Sequence, residues 1–474
     1  MGYQFTALPF KYRKLGVDLN VAISVSGDHI YLSDNELNLA VEEPHMLPVH
    51  LLATMQSRFF FENVNSNDGS RRLLKSRISA KRETVSTGPT LHIIVITLHC
   101  EHSCRYCQVS RSRSGNGFTI TTQHLNAACD TVFQSSAKTL TVEFQGGDPL
   151  LRFDLIKHAI TRLNLRNKTE QRQVRFVVAS TLSNLTEEMC EFFKEHRVIL
   201  STSIDGGRDL HNKNRPSIER NSYNQTLAGI KLARKHLGHE SVSALMTTTR
   251  DSLSQPEDIV DEYVRLGFCD VFLRPLSSYG FAKKNKSLLA YEDDSFFEFY
   301  VRGIERVLHW NKQGTQLREV YASIILNKIL SIFDAGYVNL QSPTGAGLSA
   351  LIYNYDGYVY PSDEARMLLE TGDSSLRLGN IGMTIDELHS TPLQKNLIAS
   401  SLVESNAECV TCAYNLFCAP DPIDAYAEFG TFFAQTNETS HCRRHKRLFD
   451  FFYKYLNSAD DQTMDIFCRW AIIR

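Results

Sequence analysis

Between residues 91 and 274 the chain alternates six short strand-like runs with amphipathic segments, and no other feature constrains its fold as tightly. The runs fall at 91–98, 139–144, 174–179, 198–204, 241–247 and 269–274. Segments of helical period occupy 185–196, 222–236 and 257–266 between them. Parallel strands need long crossovers, so the alternation predicts an α/β fold with a parallel sheet and helices outside it. Ligands in such folds bind at the carboxyl ends of the strands. Three motifs directly follow strands: a cysteine triplet, Gly146-Gly147 and Asp205-Gly206-Gly207. The pattern therefore predicts that they converge on one face.

Composition sets the outer bounds. The 474 residues are 42% hydrophobic and 22% charged, an ordinary globular balance with room for two or three domains. A net charge of -2 makes no electrostatic case for nucleic acid or an anionic membrane. No apolar run approaches the roughly 20 residues needed to span a bilayer, and residues 1–16 lack a signal-like apolar core. A cytoplasmic location is the expectation. Of eleven cysteines, Cys129, Cys190, Cys269 and Cys468 stand singly and read as buried packing residues. The other seven form two spaced groups.

Cys100, Cys104 and Cys107 follow the first strand with the spacing C-x3-C-x2-C. Three thiolates can hold three irons of a four-iron, four-sulfur cluster and leave the fourth open to chemistry. Structural zinc is the alternative, with His99 or His102 as a fourth ligand. In the second group, Cys409, Cys412, Cys418 and Cys442 provide a closed four-thiolate set that suits either a cluster or zinc.

The triplet, with Tyr106 as its aromatic, resembles the signature of the radical S-adenosylmethionine (radical SAM) superfamily. Gly146-Gly147-Asp148-Pro149 resembles that family's Gly-Gly-Glu-Pro element, with Asp148 in place of glutamate. Ser203-Ile204-Asp205-Gly206 resembles the Ser-Leu-Asp-Gly run of its peptide-modifying members, and His211 and Arg215 extend the match. The resemblance implies a partial (βα)6 TIM-like barrel. It implies that Cys100, Cys104 and Cys107 hold a catalytic [4Fe-4S] cluster to which S-adenosyl-L-methionine binds. Tyr106, Gly146, Gly147, Asp148, Ser203 and Asp205 are then expected at the cofactor. The family's Thr-Asn-Gly after strand three is replaced by Thr181-Leu182-Ser183-Asn184.

Cys409-x2-Cys412-x5-Cys418 resembles the SPASM auxiliary-cluster domain of radical peptide maturases. Ser362 and Pro422 stand where that pattern has cysteines of the first auxiliary cluster. The resemblance thus implies a reduced domain with one auxiliary [4Fe-4S] cluster on Cys409, Cys412, Cys418 and Cys442. Near the vacated position, Asp363, Glu364 and Arg366 are candidates for substrate binding or for an ion-pair network replacing the lost cluster. Arg274, at the end of strand six, is a further candidate for substrate, cofactor carboxylate or a surface ion pair.

Local runs at 8–13, 107–111, 143–147 and 360–366 are similar to the radical SAM maturases of the His-Xaa-Ser peptide system. That similarity implies abstraction of a hydrogen atom, by a 5′-deoxyadenosyl radical, from a precursor peptide bearing His-Xaa-Ser repeats. It also implies a second radical SAM maturase and a reductant such as flavodoxin or ferredoxin as partners. Anaerobic sulfatase-type maturation to formylglycine and a zinc-bound peptide scaffold are the rival readings.

The expected organisation is an α+β unit at 1–86, a radical SAM core at 87–300, a helical linker at 301–345, a SPASM-like domain at 346–450 and a tail at 451–474. Within the first unit, runs at 21–25 and 29–32 predict a hairpin, Ser33-Asp34-Asn35-Glu36 a helix start, and 63–86 an exposed connection. Such a unit is read either as a sheet edge for a peptide or as a structural cap. A largely helical stretch is expected at 293–332, a hairpin at 351–360 turning on Asp356-Gly357, and an aromatic helix at 448–456.

Overall fold

A computed structural model describes residues 5–63, 68–86, 88–277 and 279–472. The chain forms two compact units, one of residues 1–86, 322–345 and 396–474, the other of residues 87–321 and 346–395.

The second unit is built on a nine-stranded sheet. In chain order within it, the strands are β1 (Leu91–Thr97), β2 (Thr139–Gly146), β3 (Gln173–Ala179), β4 (Ile199–Ser203), β5 (Val242–Thr247), β6 (Leu273–Arg274), β7 (Ala350–Tyr353), β8 (Tyr358–Tyr360) and β9 (Gly379–Asn380). Spatially they run β6-β5-β4-β3-β2-β1-β7-β8-β9. The first six are parallel, as the strand–helix alternation predicts. The run Leu91–Thr97 is β-branched and buried along almost its whole length, as a strand covered on both faces must be. Helices return the chain between strands with their own stop and start signals. Thr186 caps Glu187–Glu195 by accepting the Met189 N–H, and Pro256 opens Pro256–Arg265.

Two expectations are corrected here. The run at 269–274 is not one strand. Asp270–Val271 pairs with Arg318–Glu319, whereas Leu273–Arg274 pairs with β5, and the Leu273 N–H turns to the Glu319 carboxylate at 3.0 Å. The stretch 293–332 is largely helical as expected, in two helices, Asp293–Lys312 and Val320–Leu330, with that short strand between them. Cys129 and Cys190 are buried, but Cys269 and Cys468 are exposed, so only half of the single cysteines pack as a core residue does.

At the far edge of the sheet, β7 runs parallel to β1 and folds back onto β8 through the Asp356-Gly357 turn. Gly357 takes a φ of 88°, which glycine adopts at no steric cost. Residues 346–395 are thus built onto the parallel sheet.

In the first unit, Phe10–Gly16, Leu19–Ser24 and His29–Leu32 form an antiparallel sheet. A reciprocal Ser33–Glu36 capping box starts the helix Asp34–Glu42. The segment expected as an exposed connection at 63–86 is, where described, the helix Asp68–Ser86; residues 64–67 lie outside the described residues. Its polarity suggested a loop, yet Arg, Lys, Leu and Ala are good helix formers. The helix Ser440–Ser458 buries Leu448, Phe449, Phe452, Tyr453 and Leu456, with Tyr414 stacked on Tyr453 at 5.7 Å. Among the described residues, no helix is long and apolar enough to cross a membrane.

Candidate functional site

The cysteine triplet lies on a loop pinned along its length. The Cys100 N–H donates to Ser112 O at 3.0 Å, and the Ser112 N–H donates back to Leu98 O at 2.7 Å. Arg105 N–H donates to Asn214 O, and Phe281 N–H to Cys107 O at 2.8 Å. Against this loop lies the end of β2. An added Cβ on Gly146 would stand 2.1 Å from Thr97 O, and one on Gly147 2.3 Å from Leu98 O. The glycines therefore let the start of the cysteine loop lie directly on β2, a role beyond the ligand approach anticipated for them.

The strand ends line an open cavity of about 200 Å³. Its wall takes Cys100, Cys104 and Cys107 from the loop after β1, residues 145–147 from β2, 179–181 from β3, 201–203 from β4, 245–247 from β5 and Arg274 from β6. Asp363 and Met367 contribute from the helix Asp363–Leu369. Burial pushes the Cys104 thiol up to about 11 and the Cys100 and Cys107 thiols upward as well. The thiolate state here calls for a compensating positive charge, which a metal cluster supplies.

Two expected cofactor residues stand behind this wall. The Asp148 carboxylate accepts hydrogen bonds from Ser180 Oγ at 2.7 Å and Thr181 Oγ1 at 2.5 Å, and it is those two residues that line the cavity. Asp205 is fully buried, 2.8 Å from the Tyr106 hydroxyl, which in turn accepts from Arg215 Nη1 at 2.8 Å. Burial raises the Asp205 carboxyl while Arg215 opposes that shift. The Tyr106–Asp205–Arg215 network ties the cysteine loop to the end of β4; Tyr106, Arg215 and Ser203 also line the cavity.

Among the candidates near the vacated auxiliary site, Asp363 lines the cavity and is bound by the fully buried Arg366, Nε to Oδ1 at 2.9 Å. Glu364 and Arg366 are not part of the wall. Ser362 accepts the Ala365 N–H at 3.2 Å and caps that helix. Pro422 opens the helix Pro422–Phe429, which Asp421 caps. Both positions start helices.

Six wall residues carry buried polar atoms with no protein partner: His102 at both ring nitrogens, Gln108 Nε2, Arg111 Nε, Gln145 Nε2, Thr202 Oγ1 and Arg215 Nε. Buried polar groups are ordinarily paired, so the wall is made for a polar ligand, and it fits a cluster with S-adenosylmethionine. Sequence reasoning did not assign Gln108, Arg111, Gln145 or Thr202; their position just after or at the end of strands was the available signal.

The second group of cysteines lies in the first unit, where Cys409, Cys412, Cys418 and Cys442 line one pocket with Glu408, Thr436 and Lys446. Burial pushes Cys409 up to about 12 and Cys418 and Cys442 upward. Among the described residues, no three His, Cys, Asp or Glu side chains converge on a single ion-sized point. By its chemistry the four-thiol donor set suits a cluster or zinc.

Residues 94–263 match the Radical SAM superfamily. Among curated proteins, an uncharacterized protein of Methanothermobacter thermautotrophicus is 25% identical over 50% of this chain and 90% of its own length. A cysteine-type anaerobic sulfatase-maturating enzyme of Clostridium novyi is 21% identical over 68% of this chain and 84% of its own. Among solved structures, anSMEcpe with bound AdoMet and Cp18Cys peptide superposes with a TM-score of 0.65 at 17% identity, covering 78% of this chain and 99% of that one. Streptococcus suis SuiB bound to precursor peptide SuiA gives 0.55 at 12% identity, covering 93% and 100%. These likenesses place the chain in the radical SAM fold.

Proposed function

We propose that this radical SAM enzyme modifies a ribosomally made precursor peptide, of the His-Xaa-Ser type that its local runs resemble. The observation that carries the reading is the convergence of three thiols, two buried and one partly buried, and six residues with unpaired polar atoms on one cavity at the strand ends. S-adenosylmethionine, held at a cluster on Cys100, Cys104 and Cys107, would supply the hydrogen-atom abstraction. The chain's own residues do the rest. Tyr106, Asp205 and Arg215 fix the loop that carries the thiols, and Asp148 orients the Ser180 and Thr181 hydroxyls. Arg274 and Asp363 present a cation and a carboxylate to whatever enters the cavity, and Arg366 holds Asp363 in place. The N-terminal unit, with its short sheet, is assigned to peptide recognition, and Cys409, Cys412, Cys418 and Cys442 to one auxiliary [4Fe-4S] cluster. A second radical SAM maturase and a flavodoxin- or ferredoxin-type reductant complete the system.

Anaerobic incubation with S-adenosylmethionine, dithionite and a synthetic His-Xaa-Ser peptide tests this. The expected products are 5′-deoxyadenosine and a peptide of altered mass, both lost on Cys104→Ala. Cys412→Ala is expected to spare slow cofactor cleavage and abolish peptide modification. Turnover of a sulfatase Cys or Ser peptide alone would favour the second reading, formylglycine formation, which the sulfatase-maturating relatives support. About eight irons per chain are expected after reconstitution, four for each cluster. Zinc alone, with no cofactor cleavage, would leave only the scaffold.

A further inference from the structure

His102 stands inside the cysteine triplet, two residues from Cys100 and two from Cys104. It is 1% exposed and lines the cavity, and neither of its ring nitrogens has a partner in the protein. The backbone on both sides of it is pinned. The Cys100 N–H donates to Ser112 O at 3.0 Å, and the Ser103 N–H donates to Pro216 O at 2.6 Å. Arg111 Nη2 holds the Ser103 hydroxyl at 2.6 Å from another position in the same wall. The imidazole is therefore fixed where water does not reach it. In either protonation state the ring carries at least one N–H. A buried donor left unpaired costs about 1–3 kcal/mol, a cost that leucine at this position avoids.

The missing acceptor has to come from what the cavity binds. Two residues span at most about 7 Å of chain, so the His102 backbone stays within that reach of Cys100 and of Cys104. When those thiols hold a cluster, the acceptors closest to them are its sulfurs. We propose that His102 donates an imidazole N–H to a sulfur of the cluster on Cys100, Cys104 and Cys107 and thereby raises that cluster's reduction potential. This role rests on the cluster reading of the triplet given above. The reduced cluster is one unit more negative than the oxidised one, so a donor aimed at its sulfur favours the reduced form. One electron passes from a flavodoxin- or ferredoxin-type reductant to the cluster. The reductant is oxidised, the cluster reduced, and no bond or proton moves at His102.

The test uses the full chain, carrying nitrogen-15 histidine and reconstituted anaerobically without S-adenosylmethionine. Cys104→Ala, which keeps only the C-terminal site, supplies the background for every measurement. Pulsed electron paramagnetic resonance of the dithionite-reduced parent is expected to show a nitrogen-15 coupling at the first cluster, lost in His102→Leu. Potentiometric titration is expected to give His102→Leu a lower midpoint than the parent, with His102→Gln, which keeps an N–H donor, between them. Coupling and midpoint unchanged in His102→Leu, with the first cluster intact, overturn the role. An effect that appears only once S-adenosylmethionine is added also overturns it, because the acceptor is then the cofactor. Should His102→Leu take up no iron at the first site, the parent decides: absence of any coupling overturns the role, and a coupling that survives His99→Leu upholds it. A parent from which Cys104→Ala removes no iron overturns the cluster itself, a separate result.

Discussion

Glu143 shows how a single side chain can be set by its enclosure. It stands on β2 two residues before Gln145, on the strand face that reaches the cavity, and burial with Asp363 nearby pushes its carboxyl up to about 7 while Arg274 opposes the shift. The ordinary value is 4.5, so the folded chain binds this proton more tightly than the unfolded one. The stabilisation is therefore complete below pH 4.5 and is lost as pH rises through 7. Glu143→Gln should remove that dependence. Urea unfolding at a series of pH values is expected to show the variant gaining on the parent by up to about 3 kcal/mol across this window. A parallel pH response in the two proteins would show that Glu143 is ionised throughout.

At the scale of elements, the contact between β2 and the cysteine loop decides whether the first site forms. Gly147 N–H donates to Thr97 O and Asp148 N–H to His99 O, each at 2.7 Å, and there is no room for a Cβ at either glycine. Gly147→Ala is expected to push the loop off the strand end, costing about 3 kcal/mol or more. Iron at the first site should be lost with it, while Cys409, Cys412, Cys418 and Cys442 keep theirs. Iron analysis beside thermal unfolding checks both. At the two positions where the resembled pattern has cysteines, helices start: Ser362 caps Asp363–Leu369, and Pro422 opens Pro422–Phe429. The Asp363–Arg366 pair, one turn apart, is then a feature of that new helix as well as of the cavity floor.

Over the whole molecule, the seven spaced thiols are divided between two units, three in one and four in the other. Burial raises the thiols of Cys409, Cys418 and Cys442, so removing a metal bound there should loosen the first unit alone. Hydrogen exchange before and after chelation is expected to show faster exchange in residues 407–418 and 440–446 and no change in β1 to β5. Protection unchanged in the former would mean that the cysteine segment folds without metal.

Periodicity and spacing by themselves determined the parallel strands, the helices between them and the two thiol groups, because strand period, crossover length and ligand spacing are local properties of a chain. They also placed Ser203, Gly146 and Gly147 at strand ends, where they line the cavity. Only the tertiary structure decided which carboxylates face that cavity. Asp148 and Asp205 follow strands just as their neighbours do, yet Ser180, Thr181 and Tyr106 draw both of them behind the wall. It likewise decided that Gln108, Arg111, Gln145 and Thr202 share one wall and that Lys446 lines the same pocket as Cys442. Such pairings depend on how separate strands and loops pack, and burial then sets the charge of each group, information that no local run of residues contains.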